Sequence, residues 1–373
     1  MTGTPADTGF IDRMDAINRS NLKRSLRVIF AGGKRTIRIL AARPSLFLAG
    51  ARLHLHQKRT AKVRKKAREG GLDVPVMMLV SITSRCNLSC RGCYMLQRKP
   101  RPEPEMTLDE LMSVVSQAED LGVSVVAFVG GEPLLRSQDV FSLARSFPNL
   151  LFTISTNGTL IDGNVAAELA GCSNLVPFIS LEGFQKETDS RRGQGVYDRV
   201  LAACSLLSTR LLFFGCAVTV SRNTISEVLD ESFIRTMIGA GARAFIFIQY
   251  VPAEPGTEDL VPTPEQRRLL IASMDEFNRK YPAFFIGIPG DMEMFDGCLA
   301  AGRGFVHVNP YGDLEPCPVV PLSDVNLRTV PLRQALQSRL LRAIRSNHTS
   351  LRANGRCVLR TDPLWPEKTA SKK

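Results

Sequence analysis

Six short, almost wholly apolar runs, each followed by a helical pattern, constrain this chain more than any other feature. They read "VMMLVSI" (76–82), "VSVVAFV" (123–129), "LLFTIS" (150–155), "LVPFIS" (175–180), "LLFFGCAVTV" (211–220) and "AFIFIQY" (244–250). A strand with one wet face alternates apolar and polar residues, whereas a strand buried on both faces does not. Runs of the second kind alternating with helices predict a buried parallel sheet, doubly wound or curled into a barrel. The clearest intervening helix is "TLDELMSVVSQAEDLG", where Thr107 and Glu110 make a capping box and Gly122 stops the helix.

The residues that do not look like packing fall directly after these runs. "TSRCNLSCRGCYM" (83–95) puts Cys86, Cys90 and Cys93 after the first strand. "GGEP" (130–133) follows the second, "TNG" (156–158) the third and "SLEG" (180–183) the fourth, while Gln249 and Tyr250 end the sixth. Parallel sheets bind ligands at the carboxyl ends of their strands, so one edge gathers all of these groups. Three thiolates on one loop can occupy three irons of a [4Fe–4S] cube and leave the fourth iron open. A zinc site wants a fourth ligand at finger-like spacing, and no His or second CxxC lies close. The nine cysteines are an odd set for a disulfide framework, and "MTGTPADTGFIDRMD" lacks the pattern of a secretory leader. A reducing, cytoplasmic setting with metal-bound thiols is the expectation.

C-x3-C-x2-C after strand one, GGEP after strand two and six strand–helix units together resemble the radical S-adenosylmethionine (SAM) enzymes, over about residues 76–250. The resemblance implies a partial (β/α)6 TIM-like barrel, with a [4Fe–4S] cluster on Cys86, Cys90 and Cys93. It implies SAM chelated at the open iron, one electron from an external flavodoxin- or ferredoxin-type donor, and a 5′-deoxyadenosyl radical that takes a substrate hydrogen. By position it assigns Gly130, Gly131, Glu132 and Pro133 to the SAM amino group. The glycines would let backbone approach the ligand, and Glu132 would balance the ammonium. Asn157, Ser180 and Glu182 resemble positions that hold ribose and methionine, and Arg192 one directed at the SAM carboxylate. One position departs from the family: the aromatic residue before the third cysteine is Gly92 here. Tyr94, just after that cysteine, is the candidate for the adenine contact.

Toward the C-terminus, "CLAAGRGFVHVNPYGDLEPCP" spaces Cys298, Gly312 and Cys317 as C-x13-G-x4-C, with "YGD" as a tight hairpin turn. This resembles the opening of the SPASM extension, which carries auxiliary iron–sulfur clusters. Only Cys357 follows, so a truncated, twitch-like version with at most one further [4Fe–4S] cluster is implied, on Cys298, Cys317 and Cys357. His307 alternates with Phe305 and Asn309, which favours a structural histidine over a fourth ligand. Cys172, Cys204 and Cys216 read as core residues. The expected organisation is an arm over 1–70, the barrel over 71–251, a linker and helix over 252–285 and the extension over 286–373, ending in a disordered polar tail.

Net charge separates the arm from the rest. Of the formal +12, residues 19–69 contribute +15, sixteen Lys and Arg against Glu69, so the remainder is −3. The arm mixes these cations with Leu, Ile and Phe but has no uncharged stretch approaching the roughly 20 residues that span a bilayer. It can dock on the barrel with a basic face outward, or lie peripherally on the anionic inner face of the membrane. Only Phe30 and Phe47 could stack on bases, and the positive charge lies away from the barrel mouth; both weigh against nucleic acid and an RNA-modifying enzyme. The substrate expected is a small molecule, a lipid or a peptide. A non-catalytic iron–sulfur or SAM-binding scaffold is the alternative, opposed by the complete cysteine triplet and GGEP.

Overall fold

The structure, a computed structural model, describes residues 44–99, 101–288, 297–351 and 357–362. The first 43 residues of the basic arm and the polar tail lie outside them. Among the described residues nine strands form one sheet: β1 Met77–Thr83, β2 Val125–Gly130, β3 Leu151–Thr156, β4 Leu175–Leu181, β5 Gly215–Val220, β6 Ala244–Gln249, β7 Phe284–Ile288, β8 Phe305–Val308 and β9 Leu314–Glu315. Their order is β7-β6-β5-β4-β3-β2-β1-β8-β9, so the sheet is open, with β7 and β9 at its edges. All pairs are parallel except the β8–β9 hairpin. The six expected strands are present in an unclosed parallel sheet with helices, as in a partial TIM-like barrel.

Helices fall between the strands: α1 Pro44–Glu69, α2 Leu108–Leu121, α3 Ser137–Ser146, α4 Gly163–Gly171, α5 Gln185–Arg192, α6 Val196–Thr209, α7 Ile225–Val228, α8 Glu231–Ala240, α9 Pro264–Lys280, α10 Leu332–Ala335, α11 Arg339–Ser346 and α12 Val358–Thr361. α2 has the capping box on Thr107 and Glu110 and ends at Gly122 in the left-handed region. Its buried residues, Leu111, Val114, Val115, Ala118 and Leu121, recur at helical spacing and face the sheet core. There Phe128 of β2 stacks on Phe152 of β3 at 5.3 Å, and Phe245 of β6 on Phe285 of β7 at 4.8 Å.

Two features differ from expectation. β7 and β8 extend the same sheet at either side of the six strands, and the boundary expected at 285/286 falls inside β7. Both are short, five and four residues, and sit in segments that read as linker and extension. Residues 332–347 carry two helices, because the Ser338 hydroxyl accepts from Leu341 N and starts α11 afresh. The arm's described part, α1, docks on the barrel: Arg64 Nη1 donates to the carbonyl of Gly122, and Thr60 is buried beside it. No helix among the described residues is long and apolar enough to cross a membrane.

Candidate active site at the carboxyl edge of the sheet

The end of β1 is fixed before the cysteines begin. Glu105 accepts from Thr83 Oγ1, Ser84 N and Ser84 Oγ at 3.1, 2.7 and 2.6 Å. The GGEP segment then locks under the start of the cysteine loop. Gly131 N donates to the Thr83 carbonyl and Glu132 N to that of Arg85. A Cβ on Gly131 would lie 1.9 Å from Arg85 O, and one on Gly130, at φ +120°, 2.5 Å from Thr83 O. These glycines are therefore required by the approach of the cysteine loop's own backbone. Pro133 opens a 3-10 turn, Pro133–Arg136, capped by Glu132.

Glu132 is a buckle between strands. It is 1 % exposed and accepts from Leu134 N at 3.0 Å, Thr156 Oγ1 at 2.7 Å and Asn157 N at 2.8 Å. Burial still pushes its carboxyl above the usual range, against those donors. Asn157 passes the connection on: its Nδ2 donates to Asn87 Oδ1, inside the cysteine loop, at 2.8 Å. Its Oδ1 accepts from Thr159 N and Oγ1. Ser180 is half-buried on β4, opposite Ala217 of β5.

Glu182 carries two guanidiniums. Arg192 Nε and Nη2 reach its two oxygens at 2.5 and 2.7 Å, and Arg191 Nη1 reaches Oε1 at 2.5 Å. Burial alone would raise the Glu182 carboxyl, but Arg192 and Arg191 hold it below the ordinary range. Arg192 is likewise desolvated, yet Glu182 raises it above an ordinary guanidinium. Two cations on one carboxylate leave a net positive charge, and it lies beside Cys90, where both arginines oppose the upward pull of burial on the thiol. Arg191 Nε also donates to the carbonyl of Arg91, and Arg91 N to that of Arg191, so the end of α5 grips the loop between Cys90 and Cys93.

Gly92 has φ +69°, and a Cβ there would meet the Tyr250 hydroxyl at 2.4 Å. A ring on the strand-six end thus occupies the ground beside the third cysteine. Tyr250 donates to Thr257 Oγ1 at 2.8 Å, and Gly92 N donates to Glu254 Oε2 at 3.0 Å. Tyr94 turns its hydroxyl inward, against Ser81 and the Gly130 amide, where burial raises its pKa. Asn87, Arg191 and Glu254 are the site residues that sequence reading missed, whereas Tyr250 is singled out there as a strand end. The three missed residues left no signal, since their loop partners are distant in the chain.

The second cysteine set also assembles. Cys317 is buried, and its thiol is pushed well above the ordinary value by burial, with Cys357 and Cys298 adding to the rise. Burial raises Cys357 as well. Arg360 ties the neighbourhood together, donating to the carbonyls of Val319, Pro252 and Ala253. His307 is completely buried and its two ring nitrogens face Ser81 and Glu315, so neither is left for a metal. Among the described residues no three His, Cys, Asp or Glu groups are arranged to hold a single metal ion. Cys90 and Cys93 nonetheless lie close enough to Cys86 to add to the rise of its thiol, and Cys93 adds to that of Cys90. Thiols that are near but not pinched onto one point suit a cube, in which each thiolate has its own iron.

The radical SAM superfamily matches residues 80–250, the strands and loops that carry both motifs. The AdoMet-dependent heme synthase of Methanosarcina barkeri is 27% identical over 290 residues, covering 70% of this chain and 82% of that protein. The mycofactocin maturase MftC of Mycolicibacterium smegmatis is 30% identical over 264 residues, covering 67% of this chain and 66%, just under two thirds, of its own length. Among solved structures, Streptococcus suis SuiB superposes with a TM-score of 0.62 at 19% identity, over 78% of this chain and 71% of SuiB. SuiB bound to its precursor peptide SuiA gives 0.60, over 78% and 70%. This family uses a [4Fe–4S] cluster and SAM, and its SPASM-type members carry further clusters. With the sheet, the cysteine loop and GGEP all in register with it, the chain carries the radical SAM domain of that enzyme superfamily over residues 80–250.

Proposed function

We propose that Cys86, Cys90 and Cys93 hold the SAM-chelating cluster and that Cys298, Cys317 and Cys357 hold one auxiliary cluster. The observation that carries this is the convergence of the cysteine loop, GGEP and the Glu182–Arg191–Arg192 group at one edge of the sheet. The first cluster, when bound, supplies the electron that cleaves SAM reductively. The chain's own residues position and neutralise. The net positive charge of Arg191 and Arg192 over Glu182 favours thiolate at Cys90 and attracts the carboxylate of SAM. Glu132, with three of its roughly four acceptor positions engaged, chiefly fixes the loop and has one left for an ammonium. Gly130, Gly131 and Pro133 shape that loop, and Asn157 and Ser180 line the next strand ends beside it. Tyr94 is reassigned from adenine to support of Gly130, since its hydroxyl is committed inward.

The substrate is proposed to be a small molecule or a peptide side chain. A cavity of about 500 Å³ opens beside β1 and β8, lined by Ser84, Met95, Arg98, Asn309 and Tyr311 among others. That volume suits such ligands. A flavodoxin- or ferredoxin-type protein would deliver the electron. Peripheral contact with an anionic membrane is proposed for α1, whose docked face uses Thr60 and Arg64 while Arg52, Lys58, Arg59, Lys62, Lys65 and Lys66 face outward. Replacing these six by Ser should abolish sedimentation with phosphatidylserine vesicles, and unchanged sedimentation removes the membrane role.

The central test is anaerobic reconstitution followed by reduction in the presence of SAM. The expected product is 5′-deoxyadenosine, absent from Cys86→Ala. A fully loaded, reduced protein that leaves SAM intact would instead be a scaffold.

A further inference from the structure

A buried polar chain runs from the first cysteine loop to the second cysteine set. His307 Nε2 lies 2.7 Å from Ser81 Oγ and His307 Nδ1 2.8 Å from Glu315 Oε2. Burial keeps His307 neutral, lowering its pKa despite Glu315. Glu315 is ion-paired with Arg98, which marks it as the carboxylate of the chain. A carboxylate can only accept, so Nδ1 carries the ring proton and Nε2 accepts from Ser81. Above Ser81 sits the hydroxyl of Tyr94, the residue after Cys93. Beyond Glu315, Arg98 closes a two-pronged pair on the carboxylate at 2.8 and 2.7 Å. The same Nη2 donates to the carbonyl of Pro318, the residue after Cys317, at 2.7 Å. The chain therefore starts one residue past Cys93 and ends one residue past Cys317.

We propose that Arg98 is a positioning residue for the second cysteine set, held in place by Glu315, His307 and Ser81 and setting the reduction potential of the cluster that the set carries. This rests on the auxiliary cluster proposed above. A guanidinium fixed against the Cys317 loop stabilises the charge added when a cluster is reduced, and such outer groups tune iron–sulfur potentials. Packing alone does not account for the arrangement, because a buried ionic group can often be replaced by apolar residues with no loss of stability.

The test is made in the full chain with Cys86→Ala, so that only the second cluster is read, by iron analysis and a redox titration followed by electron paramagnetic resonance. About four irons should remain. Arg98→Met together with Glu315→Gln removes both charges and avoids stranding one. It should keep the iron and move the midpoint to more negative potential. Arg98→Lys, which keeps the charge but loses the fork, should move it less in the same direction. Loss of the remaining iron from a variant that melts with its parent also supports positioning. An unchanged midpoint at full iron content overturns this inference and leaves the auxiliary cluster standing. A Cys86→Ala protein without iron overturns the auxiliary cluster and the inference with it.

Discussion

The two cysteine sets are held by opposite means. Cys86, Cys90 and Cys93 lie on a loop with Cys86 exposed, fastened from outside by the GGEP backbone, Asn157, Arg191 and Glu254. Cys298, Cys317 and Cys357 pack against the apolar core, and arginine donors to backbone carbonyls, from Arg98 and Arg360, hold the segments around them. An exposed, fastened loop can keep a small molecule beside its metal group. A set with Cys317 buried and Cys298 and Cys357 half-buried against the core suits a group that exchanges charge but no ligand. The first set should therefore fail when a fastening is removed, and the second when burial or a guanidinium is lost.

The largest break is Gly131→Ala. The added methyl would sit 1.9 Å from the Arg85 carbonyl, backbone against backbone, where nothing flexible can give way. The cost should be about 3 kcal/mol or more. Reconstituted protein is expected to lose roughly the four irons of the first cluster and all SAM cleavage, while keeping those of the second. Equal loss from both sets would show that the loops are not independently fastened.

Glu182→Gln comes next, because it strands two guanidiniums beside Cys90. Breaking a buried pair in this way costs about 3–5 kcal/mol. Its pH signature separates charge from packing. A carboxyl held below its unfolded value stabilises the fold above the ordinary carboxylate range, and that contribution is lost as pH falls through the folded pKa. Acid titration of stability should therefore be steeper in the parent than in Glu182→Gln, read from urea midpoints between neutral pH and the acid limit. Parallel curves would mean that Glu182 does not carry the charge assigned to it. At the second set the counterpart is Arg360→Met, which removes three donors to carbonyls and should cost about 2 kcal/mol, releasing iron from the second set alone.

The legible part of this molecule was whatever one stretch of chain announces by itself. Continuous apolar runs gave six strands, Thr107 and Glu110 gave a cap, and C-x3-C-x2-C with GGEP gave the motif loops. β7 and β8 escaped because strands of five and four residues have too little pattern to stand out from loop and helix. The fastenings escaped for a different reason: Arg191, Asn87, Glu254 and Arg360 are ordinary polar residues whose partners lie far off in the chain. His307 was readable as structural from its alternation, but its pairing with Ser81, 226 residues away, was not.

The smallest effect addresses Gly92, where the family has an aromatic residue. Tyr250→Phe removes the hydroxyl that donates to Thr257 and should cost about 1 kcal/mol in the urea midpoint. Gly92→Ala should cost more, since φ +69° strains any Cβ and the Tyr250 oxygen lies 2.4 Å from where that atom would go. In the double variant the oxygen is gone, and the nearest ring carbons stand at 3.1 and 3.2 Å. The two costs should therefore sum to less than expected, by about 1 kcal/mol in a double-mutant cycle. Simple additivity would mean that backbone strain alone demands glycine at 92. Coupling would mean that the ring at 250 has taken the space, so that the glycine before Cys93 and the tyrosine just after β6 are one substitution made in two places.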